Sequence, residues 1–162
     1  MTLLEDTRQQ KGKHKNIHAY CRQAGIRIVR QMLSVGDYML AGPEYGGIKG
    51  DIACDSKASI AEIASNCFQE HLRFRECCQR AQALGIKLVI LIEEMPPGGD
   101  VRNWVSPLDR YGKPKFQFNP MTLAKVMATM TERYGVEFRF CDGRSTGKTL
   151  IELLKGEKEN GC

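Results

Sequence analysis

The chain has 162 residues, 42% hydrophobic and 27% charged, with a formal charge of +5 and a pI near 8.8, which suits one compact domain built on a single core. No apolar run approaches the roughly 20 residues that span a bilayer, and the opening MTLLEDTRQQ lacks the basic and apolar regions of a secretion signal, so a cytoplasmic protein is expected. Seven cysteines without a CxxC pair exclude a zinc knuckle or disulfide framework and read as reduced, buried thiols, while the mild positive charge is compatible with a polyanionic partner without specifying one.

Residues 2–8 (TLLEDTR) read as an opening strand, with Asp6 and Arg8 on one face of it. A basic turn, QQKGKHK, leads into an amphipathic helix with Ile17, Tyr20, Cys21 and Ala24 on one side, ended by Gly25. IRIVRQML and YMLA, joined by SVGD, read as a strand pair. After the Gly- and Pro-rich turn GPEYGGIKG, DIACDSK alternates like a third strand. Helices are expected over 59–66 and 69–84. KLVILIEE, bounded by Gly85 and PPGG, has the continuous apolar character of a strand buried on both faces, which implies at least one parallel pairing.

Residues 95–119 form a long loop region rich in Pro, Gly and aromatics. Its Trp104, Tyr111 and Phe116 could stack on bases or pack against the core, and core packing is expected for at least two of them. NPMTLAKVMATMTERYG is a helix with Pro near its start, VEFRFC a last strand and TGKTLIELLKG a last helix. The domain is expected to span residues 1–155 and a polar tail residues 156–162.

GRSTGKT, residues 143–149, resembles a phosphate-binding loop but is one residue short of GxxxxGK[ST] and reads instead as a turn that opens the last helix. His14 and His18, like Cys67 and His71, have an i, i+4 spacing that could offer two metal ligands, yet no third or fourth ligand follows at matching spacing.

GDYMLAGPEYGGIKGDIACDSK is more informative. In a strand over 51–57, period-2 geometry puts residues 51, 53, 55 and 57 on one face, so Asp55 and Lys57 project side by side while Asp37 arrives from the preceding strand. Carboxylates about 4 Å apart repel by roughly 1 kcal/mol even in water, and by more when partly buried, so they call for a cation. Few, hard oxygen ligands select Mg²⁺ or Mn²⁺, and a Lys beside such a cation is minimal equipment for phosphodiester hydrolysis. By itself, D-x-K after an Asp fits either such a site or a solvated turn with a surface ion pair.

In order and spacing, Asp6 and Arg8 in LLEDTRQ, Gly36 and Asp37 in VGDY, Asp55-Ser56-Lys57, and Glu62 in ASIAEIASN resemble the nuclease domain of the XPF-type structure-specific endonucleases. The similarity runs through HLRFRECCQRA and KLVILIEE, over about residues 2–95, and the chain looks like a compact bacterial or prophage member. The resemblance implies a restriction-endonuclease-like α/β fold, a mixed central sheet flanked by helices in a single domain. It further implies a metal-dependent DNA endonuclease acting on branched, flap or forked DNA in repair or recombination. Asp37 and Asp55 would bind Mg²⁺ or Mn²⁺, Lys57 would be the catalytic lysine, and Asp6, Arg8 and Glu62 would support the site. Lys11, Lys13, Lys15, Arg73 and Arg75 are candidate DNA contacts. The family's tandem helix-hairpin-helix unit is not recognisable after residue 120, so a homodimer or partner protein could supply further contacts. Asp55-Ser56-Lys57 stands where the family has E-R-K, which leaves room for an impaired DNA-binding module of the same fold.

Overall fold

A computed structural model describes residues 1–10, 12–42 and 48–156, with the backbone alone for residues 48–51. A six-stranded mixed sheet runs β1 (Thr2–Asp6), β2 (Arg27–Gln31), β3 (Tyr38–Ala41), β4 (Ile48–Lys57), β5 (Lys87–Ile92) and β6 (Glu137–Phe140) along the chain, in the spatial order β2-β1-β3-β4-β5-β6. The pairs β1/β2, β4/β5 and β5/β6 are parallel, and β3 pairs antiparallel with both β1 and β4.

Five helices cover the two faces: α1 (Lys15–Gln23), α2 (Ile60–Phe68), α3 (His71–Ala83), α4 (Pro120–Tyr134) and α5 (Thr146–Lys155). Their ends follow local chemistry. The Ser59 hydroxyl accepts from the Glu62 amide at the start of α2, while Asn119 caps α4 ahead of Pro120 and Gly135 ends it in the left-handed region. No helix among the described residues is long and apolar enough to cross a membrane.

Strand parity sorts the core into two layers. Leu4, Met39, Ala53, Leu88, Ile90 and Ile92 pack beneath α2, α3 and α4, whereas Leu3, Tyr38, Leu40, Cys54 and Leu91 pack beneath α1 and α5. Each fully buried Leu or Ile is worth about 1.5–3 kcal/mol, so a one-residue slip of a central strand would expose an entire apolar row.

The expected strand pair of residues 26–33 with 38–41 does not form. The helical crossover from β1 through α1 returns the chain parallel to β1 and leaves β2 at the sheet margin. β3 then takes the other side of β1, which separates the two strands. The opening strand is also shorter than expected: it ends at Asp6, and Arg8 lies in the following turn rather than on a shared strand face.

Residues 143–149 form a helix contact. Gly147 packs against α1, where a Cβ would stand 2.4 Å from Tyr20 Cβ, and Asn16 Nδ2 donates to Gly143 O at 2.7 Å. Amides of the turn are spent on Asp142 and Ser145, and Lys148 pairs with Glu152 instead of reaching into a cradle. Gly147→Ala should therefore push α1 and α5 apart and cost about 1–3 kcal/mol, read as a lowered urea midpoint.

Candidate active site

Because β3 runs against both β1 and β4, the carboxyl ends of β1 and β4 and the amino end of β3 meet at one end of the sheet. That end brings together Asp6, Asp37, Asp55 and Lys57. Gly36 makes the approach possible: its φ is +70°, and a Cβ there would lie 2.9 Å from Cys54 O. The Asp37 amide can then donate to Cys54 O at 2.7 Å, while Asp37 O accepts from the Asp6 amide at 2.8 Å. Asp37 is thus stitched between β1 and β4, one residue before β3 begins.

Its carboxylate accepts from the Ser56 amide at 2.9 Å and reaches the Asp55 carboxyl on the same side of the sheet. Burial and the Asp37 charge raise the Asp55 carboxyl to about 7, and Lys57 offsets only part of the rise. Lys57 Nζ lies 3.0 Å from Asp55 Oδ1. Burial pulls this ammonium down, but Asp55, Asp37 and Glu62 together outweigh it and hold the group above its ordinary value. A half-buried carboxyl pair with one ammonium beside it lacks positive charge.

Asp6 is only 2% exposed and fully engaged. Its Oδ1 accepts from Arg8 N at 2.7 Å and Arg8 Nε at 2.9 Å, and its Oδ2 accepts from Leu33 N at 3.0 Å. Burial alone would raise the Asp6 carboxyl, but the bonds from Arg8 and Leu33 hold it below its ordinary value. Asp6 accordingly anchors Arg8, whose Nη2 also donates to Leu33 O at 2.7 Å. Glu62 occupies the first turn of α2, where its Oε2 accepts from the Ala58 amide at 2.8 Å and its Oε1 stands 3.6 Å from Lys13 Nζ. It braces the chain just beyond Lys57.

These groups line a cleft of about 490 Å³ whose walls also include Lys13, Arg73 and Arg80. Among the expected DNA contacts, Lys13 and Arg73 face the cleft. Lys15 does not line it, and Arg75 opens instead onto a smaller cavity between α3 and α4. Lys11 lies outside the described residues, as does the side chain of Asp51. Arg80 was missed by sequence reasoning, although its spacing carried the signal: it is seven residues, two helical turns, beyond Arg73, whereas Arg75 is rotated to the far side.

Ser56 bears on the E-R-K departure. Its backbone faces the cleft through Asp37, but parity turns its hydroxyl to the opposite sheet face, away from the Asp55 and Lys57 side chains. There Ser56 Oγ meets His14 Nε2 at 3.1 Å, and His14 Nδ1 meets Glu93 Oε1 at 3.2 Å. Since a carboxylate only accepts, Nδ1 carries a proton and donates to Glu93, and Nε2 and the Ser56 hydroxyl bond each other. His18, one turn on, pairs with buried Glu5 at 2.9 Å, so the two histidines serve separate carboxylates rather than one metal. Ser56→Ala should cost about 1–3 kcal/mol in urea unfolding by leaving the buried His14 Nε2 without its partner. Combined with His14→Ala, it should cost less than the sum of the single changes.

Among the described residues no three His, Cys, Asp or Glu side chains cluster tightly enough to enclose a metal. Asp37 and Asp55, two carboxylates short of positive charge, fit a cation that keeps most of its waters, as Mg²⁺ and Mn²⁺ do, and not a closed zinc site.

Residues 6–154 match the family model described as the ERCC4 domain. The chain belongs to the ERCC4 domain family. Solved structures agree on the fold of this ERCC4 domain. XPF from Aeropyrum pernix matches at a TM-score of 0.65 and 17% identity, over 99% of this chain and 66% of that one. The same protein in complex with DNA matches at 0.61 and 18% identity, over 95% of this chain and 63% of that one. The chain therefore spans just under two thirds of the length of these structural relatives. No curated protein matches its sequence. The mixed six-stranded sheet flanked by helices is the XPF nuclease fold, as the sequence resemblance implied.

Proposed function

We propose that this ERCC4-domain protein is a cytoplasmic, metal-dependent endonuclease that hydrolyses phosphodiester bonds in branched, forked or flap-containing DNA during repair or recombination. The observation that carries the reading is the meeting of Asp37, Asp55 and Lys57 at one sheet end, in a cleft walled by Lys13, Arg73 and Arg80. Family membership and the existence of a DNA complex of XPF from Aeropyrum pernix support it.

Asp37 and Asp55 would hold Mg²⁺ or Mn²⁺. When bound, that cation would supply Lewis-acid stabilisation of the phosphoryl oxygens and a more acidic water. Lys57, kept protonated by its carboxylate neighbours, orients the attacking water and offsets negative charge growing on the phosphate. Asp6 fixes Arg8 with its exposed edge toward the cleft, in reach of a phosphate flanking the scissile one. Glu62 holds Lys13 and the start of α2. Lys13, Arg73 and Arg80 seat the backbone and make binding salt-dependent, and a second copy or a partner protein adds contacts beyond this domain.

Incubation with labelled flap, fork, duplex and single-stranded DNA in Mg²⁺, Mn²⁺ or EDTA tests the reading. Cutting of the branched forms that requires metal and is lost in Asp37→Ala is expected. Tight binding with no cutting in any metal would instead make the chain a DNA-binding module.

A further inference from the structure

The cleft leaves one basic, aromatic surface unused, the loop over residues 105–116. Its tip is ordered by its own backbone. Leu108 bridges to Pro114, the Asp109 amide donates to Lys113 O at 2.7 Å, and Asp109 Oδ1 accepts from the Tyr111 and Lys113 amides at 2.8 and 2.9 Å. The foot is equally held. Core packing is expected for at least two of Trp104, Tyr111 and Phe116, but only Trp104 is buried. It stacks on Phe118 at 4.7 Å and donates through Nε1 to Glu94 Oε1 at 2.6 Å. Glu94 Oε2 accepts from the Ile60 amide at 2.6 Å, three residues beyond Lys57. The loop is thereby tied to the segment that carries the candidate site.

What this rigid loop presents is Tyr111, 71% exposed, with the Arg110 guanidinium 4.7 Å from its ring centroid. Lys113 and Lys115 are exposed beside it. The loop holds three cations against one carboxylate, and that carboxylate is spent on the turn. The guanidinium on one face of the ring leaves the opposite face to a flat partner. Bases inside a duplex are stacked on each other and offer only their edges, so a projecting ring of this kind matches unpaired bases with phosphates alongside.

We propose that residues 105–116 bind the single-stranded arm of a branched DNA, with Tyr111 stacking on an unpaired base and Lys113 and Lys115 on its phosphates. This rests on the nuclease reading for the DNA partner and adds where the branch is sensed. Because the loop is already ordered, little entropy is lost on binding.

Fluorescence anisotropy in EDTA, where nothing is cut, compares a fork having a single-stranded arm with a duplex of equal length. Tyr111→Ala should weaken fork binding about tenfold and leave the duplex unchanged, while Tyr111→Phe binds both like the parent. The double change Lys113→Ala/Lys115→Ala should weaken the fork and reduce its salt slope by about 1.5. Fork affinity unchanged in Tyr111→Ala, as expected if the surface serves a protein partner, overturns the proposal, and so does an equal loss on fork and duplex. A parent that binds forks through Tyr111 yet cuts nothing in metal overturns the nuclease reading alone.

Discussion

Lys57→Met is expected to lower kcat for metal-dependent DNA cutting by about 10²–10⁴-fold while leaving DNA affinity in EDTA nearly unchanged. The Lys57 ammonium sits 3.0 Å from Asp55 Oδ1 and is mostly buried, so it cannot serve as an outer phosphate clamp. Its carboxylate neighbours hold it protonated, which suits it to orient water and stabilise charge at the reacting phosphate and makes it a poor general base. The loss should fall on kcat, because the interaction strengthens as charge develops. Lys57→Arg should not restore activity, since a planar fork cannot occupy the place of a compact ammonium against Asp55. Single-turnover cleavage of a fork, with anisotropy as the binding control, checks the split. A Lys57→Met protein that cuts like the parent would remove Lys57 from the chemistry.

Asp55→Asn should abolish cutting yet make the metal-free protein more stable at pH 8. Burial and Asp37 hold the Asp55 carboxyl at about 7 in the folded state, against 3.8 for the free group. Between those values the unfolded chain has released its proton while the folded chain retains it. Stability contributed by this group is therefore present at acid pH and lost as pH rises toward and through 7. Asparagine cannot ionise, so the variant escapes the loss. In EDTA at pH 8 its Tm should exceed that of the parent, with the two closer at pH 4. Mn²⁺ should raise the Tm of the parent more at pH 8 than at pH 5, where protons compete for the site, and should not raise that of Asp55→Asn. A parent whose Tm ignores Mn²⁺ at pH 8 would remove Asp37 and Asp55 as cation ligands.

Much of this site was legible in the linear chain. The alternation of DIACDSK put Asp55 and Lys57 on one strand face, and the family resemblance singled out Gly36 before Asp37, though its close approach to Cys54 appears only in the fold. The apolar run KLVILIEE carried the parallel strand beside β4, and the ends of α4 were marked by Pro120 near its start and Gly135 after its end. These features depend on neighbours within one or two turns or pleats, where residue identity and local geometry are directly coupled.

Other features needed the folded chain. Nothing in SVGD distinguishes a hairpin from a connection that leaves β1 between the two strands, because strand order is decided by where a crossover packs. Tyr111 and Trp104 look alike in a Pro- and Gly-rich segment, and only the seating of Trp104 against Phe118 and Glu94 separates the core ring from the projecting one. That Ser56 bonds His14, 42 residues earlier, behind the sheet at 3.1 Å cannot be read from Asp55-Ser56-Lys57 alone. The sequence by itself determined which residues share a face where the element forms to its expected length, as for Asp55 and Lys57 but not for Asp6 and Arg8. Only the tertiary structure decided which faces meet, because that choice rests on contacts between segments far apart in the chain, which no local periodicity records.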